Sequence, residues 1–157
     1  MNIAQALERA ALLVDSDSSQ LDVQLLLCDA LQCARSYLFT WPERELTGAQ
    51  LERFDACFTR RLGGEPIAYI LGYQDFWTLR LAVSPATLIP RPDTELLVEA
   101  ALDLGAEQGL KVADLGTGTG AVALALASER PAWRIVACDI KPEACELAER
   151  NRIACAL

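Results

Sequence analysis

Apolar positions recur every three or four residues through the first part of the chain, which is the spacing of one face of a helix. The first run predicts a helix that ends at the polar stretch 15–19, with the apolar positions Ile3, Leu7, Ala10 and Val14. Ser19 followed by Asp22 resembles a capping signal and predicts a second helix. The apolar stripe of this second helix is predicted to consist of Leu21, Leu25, Cys28 and Leu31.

The next helices have clearer end signals. Thr47 and Gln50 fit a capping box, and the helix behind them is predicted to end at the glycine pair 63–64. Its apolar face is predicted to carry Leu51, Phe54, Phe58 and Leu62. Pro66 suits the first turn of a further short helix, which Gly72 closes. This part of the chain is therefore predicted to be a helical bundle.

The periodicity changes after Asp75. Apolar and other residues alternate with a period of two, which predicts a strand with Trp77, Leu79, Leu81 and Val83 on one side. Three prolines follow, at Pro85, Pro90 and Pro92. We therefore expect a β-hairpin linker here, followed by a helix from about Thr94 to Gly105.

The last third of the chain alternates between strand-like and helical patterns. The predicted elements are a strand over 111–115, a glycine-rich turn over 116–120, a helix over 121–127, a strand over 134–138 and a helix over 142–154. A strand, turn, helix and strand in this order predict a right-handed βαβ unit with parallel strands. The fold class is therefore α/β overall, with an all-α region at the start.

Composition narrows the classes of function. A chain with 52% hydrophobic and 23% charged residues is typical of a globular domain, and no segment approaches the roughly 20 apolar residues of a membrane span. The start of the chain lacks the pattern of a signal peptide, so we expect a cytoplasmic protein. A net charge of −8 argues against a nucleic-acid partner, because that affinity depends largely on Lys and Arg. The six cysteines form no Cys-x-x-Cys pair and the sequence has no histidine, so no metal site is expected.

The glycine-rich turn is the strongest candidate site. Gly116, Gly118 and Gly120 follow a predicted strand, at the end where open α/β sheets bind ligands. Glycine allows the backbone to approach a ligand closely. Asp114 precedes the turn, and Asp139 ends the next predicted strand.

Two ligand classes compete for this geometry. A dinucleotide site prefers Gly-x-Gly-x-x-Gly, whereas here the third glycine comes one position early and Ala121 takes its place. Asp114 would repel a pyrophosphate, but it favours S-adenosylmethionine, which has a sulfonium and an ammonium and no phosphate. Asp139 is placed to accept hydrogen bonds from both ribose hydroxyls. The pattern favours the methyl donor.

Several motifs together resemble one enzyme family. The stretch 114–120 resembles the glycine-rich first motif of class I methyltransferases, and Asp139 resembles their ribose-binding acid. More specific are Leu-Ile-Pro-Arg-Pro-Asp-Thr-Glu over 88–95, Glu-Pro-Ile-Ala-Tyr-Ile-Leu-Gly over 65–72 and the pair Phe76-Trp77. In these motifs the whole chain resembles the release factor glutamine methyltransferases, the bacterial HemK/PrmC-type enzymes.

The resemblance implies a helical substrate-recognition bundle over 1–72, a β-hairpin linker over 73–92 and an incomplete Rossmann-like methyltransferase domain over 93–157. It implies S-adenosylmethionine as cofactor and peptide chain release factors as partners, methylated on the glutamine amide of their Gly-Gly-Gln motif. The implied cofactor-binding residues are Asp114, Gly116, Thr117, Gly118, Thr119, Gly120, Asp139 and, at the pocket wall, Arg91. Oligomeric state stays open, with a monomer expected for a full-length enzyme.

One family motif is absent. Asn-Pro-Pro-Tyr, which grips the substrate amide in the family, does not occur in these 157 residues. We therefore expect a truncated chain that has no catalytic residue of its own and is inactive alone, and whose strands over 112–115 and 135–138 exchange amide protons quickly. An adenine-specific nucleic-acid methyltransferase and a non-catalytic module that binds release factors are the alternatives.

Overall fold

A computed structural model describes residues 1–105 and 109–157, which form two compact units, Met1–Leu71 and Gly72–Leu157. The first unit contains α1 (Ile3–Glu8), a 3-10 turn (Arg9–Leu12), α2 (Ser19–Leu31), α3 (Arg35–Thr40), α4 (Gly48–Leu62) and α5 (Ile67–Leu71). The second unit contains β1 (Tyr73–Phe76), β2 (Leu79–Ala82), a 3-10 turn (Pro92–Thr94), α6 (Glu95–Leu104), β3 (Lys111–Leu115), α7 (Ala121–Glu129), β4 (Arg134–Cys138) and α8 (Pro142–Ala154). The predicted combination of a helical region with an incomplete Rossmann-like α/β region is confirmed.

The helical unit is built around one apolar core. Phe54 and Phe58 are fully buried on α4, with ring centroids 5.7 Å apart. The capping box is confirmed, because Thr47 Oγ1 accepts from the Gln50 amide and Gln50 Oε1 accepts from the Thr47 amide. Leu62 was predicted on the same buried face, but it is 54% exposed because it lies on the last turn of the helix.

Only part of the predicted stripe of α2, Cys28 and Leu31, packs against the core. The helix buries Val23, Leu26, Leu27 and Ala30, while Leu21 is exposed and Leu25, Cys28 and Leu31 are only partly buried. Val14, predicted on the first apolar face, is 84% exposed because α1 gives way to a 3-10 turn before that residue is reached.

A buried carboxylate explains the error in α2. Asp22 is 4% exposed and accepts from Ser16 Oγ at 2.7 Å and Ser18 Oγ at 2.8 Å. Arg61 on α4 donates its Nε to the same carboxylate at 2.8 Å. Ser18, rather than Ser19, is the N-cap, and Asp22 serves the core instead of a capping box. A charged residue therefore lies on the buried face of α2, at a position that a hydrophobic pattern would assign to solvent.

The hairpin lies in the second unit. Its strands β1 and β2 are antiparallel and turn at Trp77 and Thr78, so Trp77 is not the strand residue that the alternation predicted. Trp77 has a left-handed φ of 57°, which a bulky residue adopts only when its surroundings impose it. Here its amide donates to Glu95 Oε1 at 2.7 Å and its Nε1 donates to Glu129 Oε1 at 2.8 Å.

Strands β3 and β4 form the predicted parallel pair, in register from Lys111 opposite Arg134 to Leu115 opposite Cys138. Their predicted bounds and those of α8 are correct, whereas α7 continues to Glu129, two residues beyond the predicted end. Within 1–105 and 109–157, no other strand pairs with β3 or β4, and one face of the pair leaves Leu115 78% and Val136 68% exposed. No helix in that same part of the chain is long and apolar enough to cross a membrane.

Candidate cofactor site

The glycine-rich turn links the end of β3 to the start of α7. Its three glycines, Gly116, Gly118 and Gly120, have φ values of 79°, 56° and 84°. These lie in the left-handed region, where a Cβ atom costs energy and glycine is therefore preferred. The alternating glycines thus allow the chain to turn sharply at the carboxyl end of the parallel strands.

The end of the neighbouring strand fixes the start of the turn. The Cys138 carbonyl on β4 accepts from the Gly116 amide at 2.9 Å and from the Thr117 amide at 3.0 Å. The Thr117 hydroxyl donates to Asp114 Oδ2 at 2.7 Å, which holds this carboxylate at the turn. The Gly120 amide donates to the Thr117 carbonyl at 2.8 Å and leads into α7.

A second carboxylate binds the middle of the turn. Asp139 Oδ1 accepts from the Lys141 amide at 3.0 Å, and its Oδ2 accepts from the Gly118 amide at 2.9 Å. These backbone hydrogen bonds hold the pKa of the Asp139 carboxyl below its ordinary value, and the bond from Lys141 has the larger effect. The carboxylate is therefore ionised at neutral pH, and each oxygen keeps acceptor capacity for a further donor.

The two threonines of the turn face inwards. Thr117 and Thr119 are 8% and 2% exposed, so little of either residue is open to solvent. A Cβ built on Gly116 meets no atom within 4 Å, which identifies open space beside the backbone there. A ligand at this point would meet glycine backbone.

The second unit also has a cavity of about 580 Å³ between β4, α7 and α8. It is lined largely by apolar side chains on the helix-covered side of β4, including Trp133, Ile135 and Ala137. Its lining includes Thr117 and Gly120 but neither Asp114 nor Asp139. The chemistry of the acidic turn, rather than the volume of this cavity, therefore defines the candidate site.

Comparison with known proteins also separates the helical unit from the rest of the chain. Residues 4–72 match the PrmC N-terminal domain, and residues 92–157 match the methyltransferase small domain. Release factor glutamine methyltransferases from three bacteria are similar to it. The one from Pseudomonas aeruginosa is 60% identical over 140 residues, which are 89% of this chain and 51% of that protein. Those from Aliivibrio fischeri and Shewanella oneidensis are 55% and 52% identical over 87% and 96% of this chain.

In sequence, the chain corresponds to the N-terminal portion of the enzymes in the release factor glutamine methyltransferase family. It spans about half the length of these relatives, with 48% of the Aliivibrio protein and 53% of the Shewanella protein covered. The methyltransferase small domain contains the whole acidic glycine turn described above. The match therefore places the candidate site in the part of the chain that resembles a methyltransferase.

The family-specific stretch over 88–95 has a structural role that the sequence did not reveal. Its last residue, Glu95, holds the hairpin turn through the Trp77 amide. Arg91 is exposed and precedes the 3-10 turn, and among the residues that the structure describes it makes no hydrogen bond or ion pair with the glycine turn. The structure thus brings Asp114, the glycines and Asp139 together, while the placement of Arg91 at the pocket wall stays a prediction.

Two residues beside the turn were missed. Thr87 is buried, and its Cβ lies 4.0 Å from where a Cβ on Gly118 would be. Asn151 on α8 is 2% exposed and hydrogen bonds to the Thr119 carbonyl. In the sequence it lies in the polar run Glu-Arg-Asn-Arg, which gave no sign of burial.

Proposed function

We propose that the turn after β3 binds S-adenosylmethionine. The observation that carries this proposal is the hydrogen bond from the Gly118 amide to Asp139, because it puts a carboxylate where a dinucleotide site would offer its amide to a phosphate. Asp114, held by Thr117, adds a second negative charge beside the turn. Two carboxylates attract a ligand with a sulfonium and an ammonium and repel a pyrophosphate.

The residues present fit such a ligand. The open space at Gly116 admits a group against the backbone, and the remaining acceptor capacity of Asp139 suits the two ribose hydroxyls. In this proposal the turn from Gly116 to Gly120 holds the methionyl end, and Asp114 lies beside its positive charge. Arg91 contributes to the pocket wall.

The proposed reaction is methylation of the glutamine amide in the Gly-Gly-Gln motif of peptide chain release factors. When bound, the cofactor supplies an electrophilic methyl group on its sulfonium. An amide nitrogen is a poor nucleophile, so its positioning supplies much of the reduction of the barrier. The Asn-Pro-Pro-Tyr motif that would position it is absent from these residues, so we propose that the 157-residue chain binds the cofactor without transferring its methyl group. Such an activity belongs in the cytoplasm, where release factors act.

The names of the relatives support a release factor as the substrate. The charge of the chain favours such a protein substrate over DNA. A net charge of −8 gives little attraction for a phosphate backbone. A protein substrate is therefore favoured over adenine in nucleic acid.

The test uses tritiated S-adenosylmethionine, a release factor, the same factor with its Gly-Gly-Gln glutamine replaced by alanine, and double-stranded DNA. The Pseudomonas relative, which is 60% identical to this chain, serves as the full-length control. We expect that enzyme to label only the unaltered release factor, and this chain to retain the cofactor in equilibrium dialysis without labelling any substrate. Labelled DNA would contradict the protein substrate, and methyl transfer by this chain alone would contradict its inactivity. The absence of retained cofactor would contradict the cofactor site.

A further inference from the structure

One buried polar side chain connects three separate parts of the second unit. Asn151, on α8, accepts from the Ala82 amide with Oδ1 at 2.8 Å. Its Nδ2 donates to the Ala82 carbonyl at 3.0 Å and to the Thr119 carbonyl at 2.9 Å. The side chain thus joins α8 to the end of β2 and to the middle of the glycine turn.

Both hydrogen atoms of this buried side-chain amide are used. Asn151 is 2% exposed, and both of its donated bonds go to backbone carbonyls. A buried carbonyl that loses its partner costs more than a typical hydrogen bond gains. The side chain of Asn151 therefore fixes the position of Thr119, which lies between Gly118 and Gly120.

The turn needs such a fixed point. Gly118 and Gly120 have the widest choice of backbone conformations of any residue, and on their own they would not keep one turn geometry. Asp139 fixes the turn from the side of β4 through the Gly118 amide, and Asn151 fixes it from α8 through the next residue. The two contacts hold consecutive residues of the turn from different elements.

We propose that Asn151 is a positioning residue, which holds the glycine turn in the conformation that binds the cofactor. This inference rests on the proposed function of the turn as the cofactor site. Asn151 does not need to touch the cofactor, since it acts through Thr119. A residue that only fills the core would instead affect stability and leave the turn unchanged.

The chain offers a matched control for this difference. Leu147 lies one helical turn before Asn151 on α8 and is 1% exposed. Leu147→Ala removes buried apolar contacts from the same helix but no hydrogen bond to the turn. Asn151→Asp keeps the size and the acceptor of the side chain and removes both donors, and Asn151→Ala avoids the buried charge if the Asp variant does not fold.

Cofactor affinity is measured by calorimetry, and the turn is followed through the amide NMR shifts and hydrogen exchange of Gly118 and Gly120. We expect the Asn151 variants to bind S-adenosylmethionine about tenfold or more weakly and to exchange these two amides about tenfold faster, as the loss of one buried hydrogen bond implies. Leu147→Ala should lower the urea midpoint while both glycine shifts and the affinity stay close to those of the parent chain.

Asn151 variants with parent-like glycine shifts and exchange would overturn the inference, whatever their stability. The same holds if Leu147→Ala shifts the two glycines as much as Asn151→Ala does. If the parent chain binds no S-adenosylmethionine, the proposed function fails on its own, and the glycine exchange rates still decide whether Asn151 holds the turn.

Discussion

Gly120 is the most crowded of the three glycines in the turn, and replacing it by alanine tests the described packing. A Cβ on this residue would lie 3.1 Å from Leu124 Cδ1 and 3.3 Å from Ala148 Cβ. The first contact can relax because the leucine side chain is flexible, whereas the second involves a methyl group fixed on α8. The residue also has a left-handed φ of 84°.

Two costs add in Gly120→Ala. Placing an L-residue in the left-handed region costs about 1–2 kcal/mol of conformational free energy, and crowding in a packed region costs about 1–3 kcal/mol. We therefore expect the free energy of unfolding of the second unit to fall by about 2–5 kcal/mol. Gly116→Ala is the control, because φ is 79° there and an added Cβ meets nothing within 4 Å, so only the first cost applies.

Urea denaturation measures both variants through the fluorescence of Trp77 and Trp133, in a Trp41→Phe background that removes the signal of the helical unit. Trp77 and Trp133 both belong to the second unit. Gly120→Ala should unfold at clearly lower urea than Gly116→Ala. Equal losses in the two variants would refute the close approach of α7 and α8 at Gly120.

The remaining predictions concern both units. Arg61→Ala should lower the free energy of unfolding of the helical unit, measured by thermal unfolding, by about 3–5 kcal/mol, because it leaves the Asp22 carboxylate buried without its cation. A loss as small as that of an exposed ion pair would contradict this. The pKa of Asp139 is lowered in the folded chain, so its stabilising bonds to the turn are present above the ordinary carboxyl pKa of about 3.9 and are lost as pH falls through the lowered value. Cofactor affinity should therefore stay constant from neutral pH down to mildly acidic pH. A loss of affinity near neutral pH would contradict this. Burial raises the pKa of Cys28 to about 11, so its alkylation by iodoacetamide at pH 7.5, followed by mass spectrometry, should be much slower than that of the exposed Cys145, and equal rates would be inconsistent with the burial. Amide exchange in β3 and β4 should be faster than in α2 and α4, because parallel strands are normally covered on both faces and one face of this pair is exposed. Slow exchange in a monomer would refute this prediction.

The elements around the site could be predicted closely because several signals coincide there. The glycines fix the end of β3 and the start of α7, and Pro142 fixes the start of α8. The apolar runs between them are too short to belong to any other element. Sequence reasoning therefore located the turn.

Apart from the two residues at helix ends, Val14 and Leu62, the errors arise where a polar residue is buried or a large residue lies in a turn. Asp22 and Asn151 are polar residues that are buried with partners distant in sequence, Arg61 and Thr119 among them. Trp77 adopts a left-handed φ because Glu95 and Glu129 hold it. Such contacts depend on tertiary structure and leave no periodic trace in the sequence.

The most direct test of the central claim is calorimetric titration of this chain with S-adenosylmethionine and, separately, with a nicotinamide dinucleotide, each repeated with Asp139→Ala. We predict that the methyl donor binds, that the dinucleotide does not, and that the substitution weakens the methyl donor about tenfold or more through the loss of charge-assisted hydrogen bonds. Binding of the dinucleotide in preference to the methyl donor, or affinity that Asp139→Ala leaves unchanged, would contradict the assignment of an acidic turn that selects a cationic nucleoside.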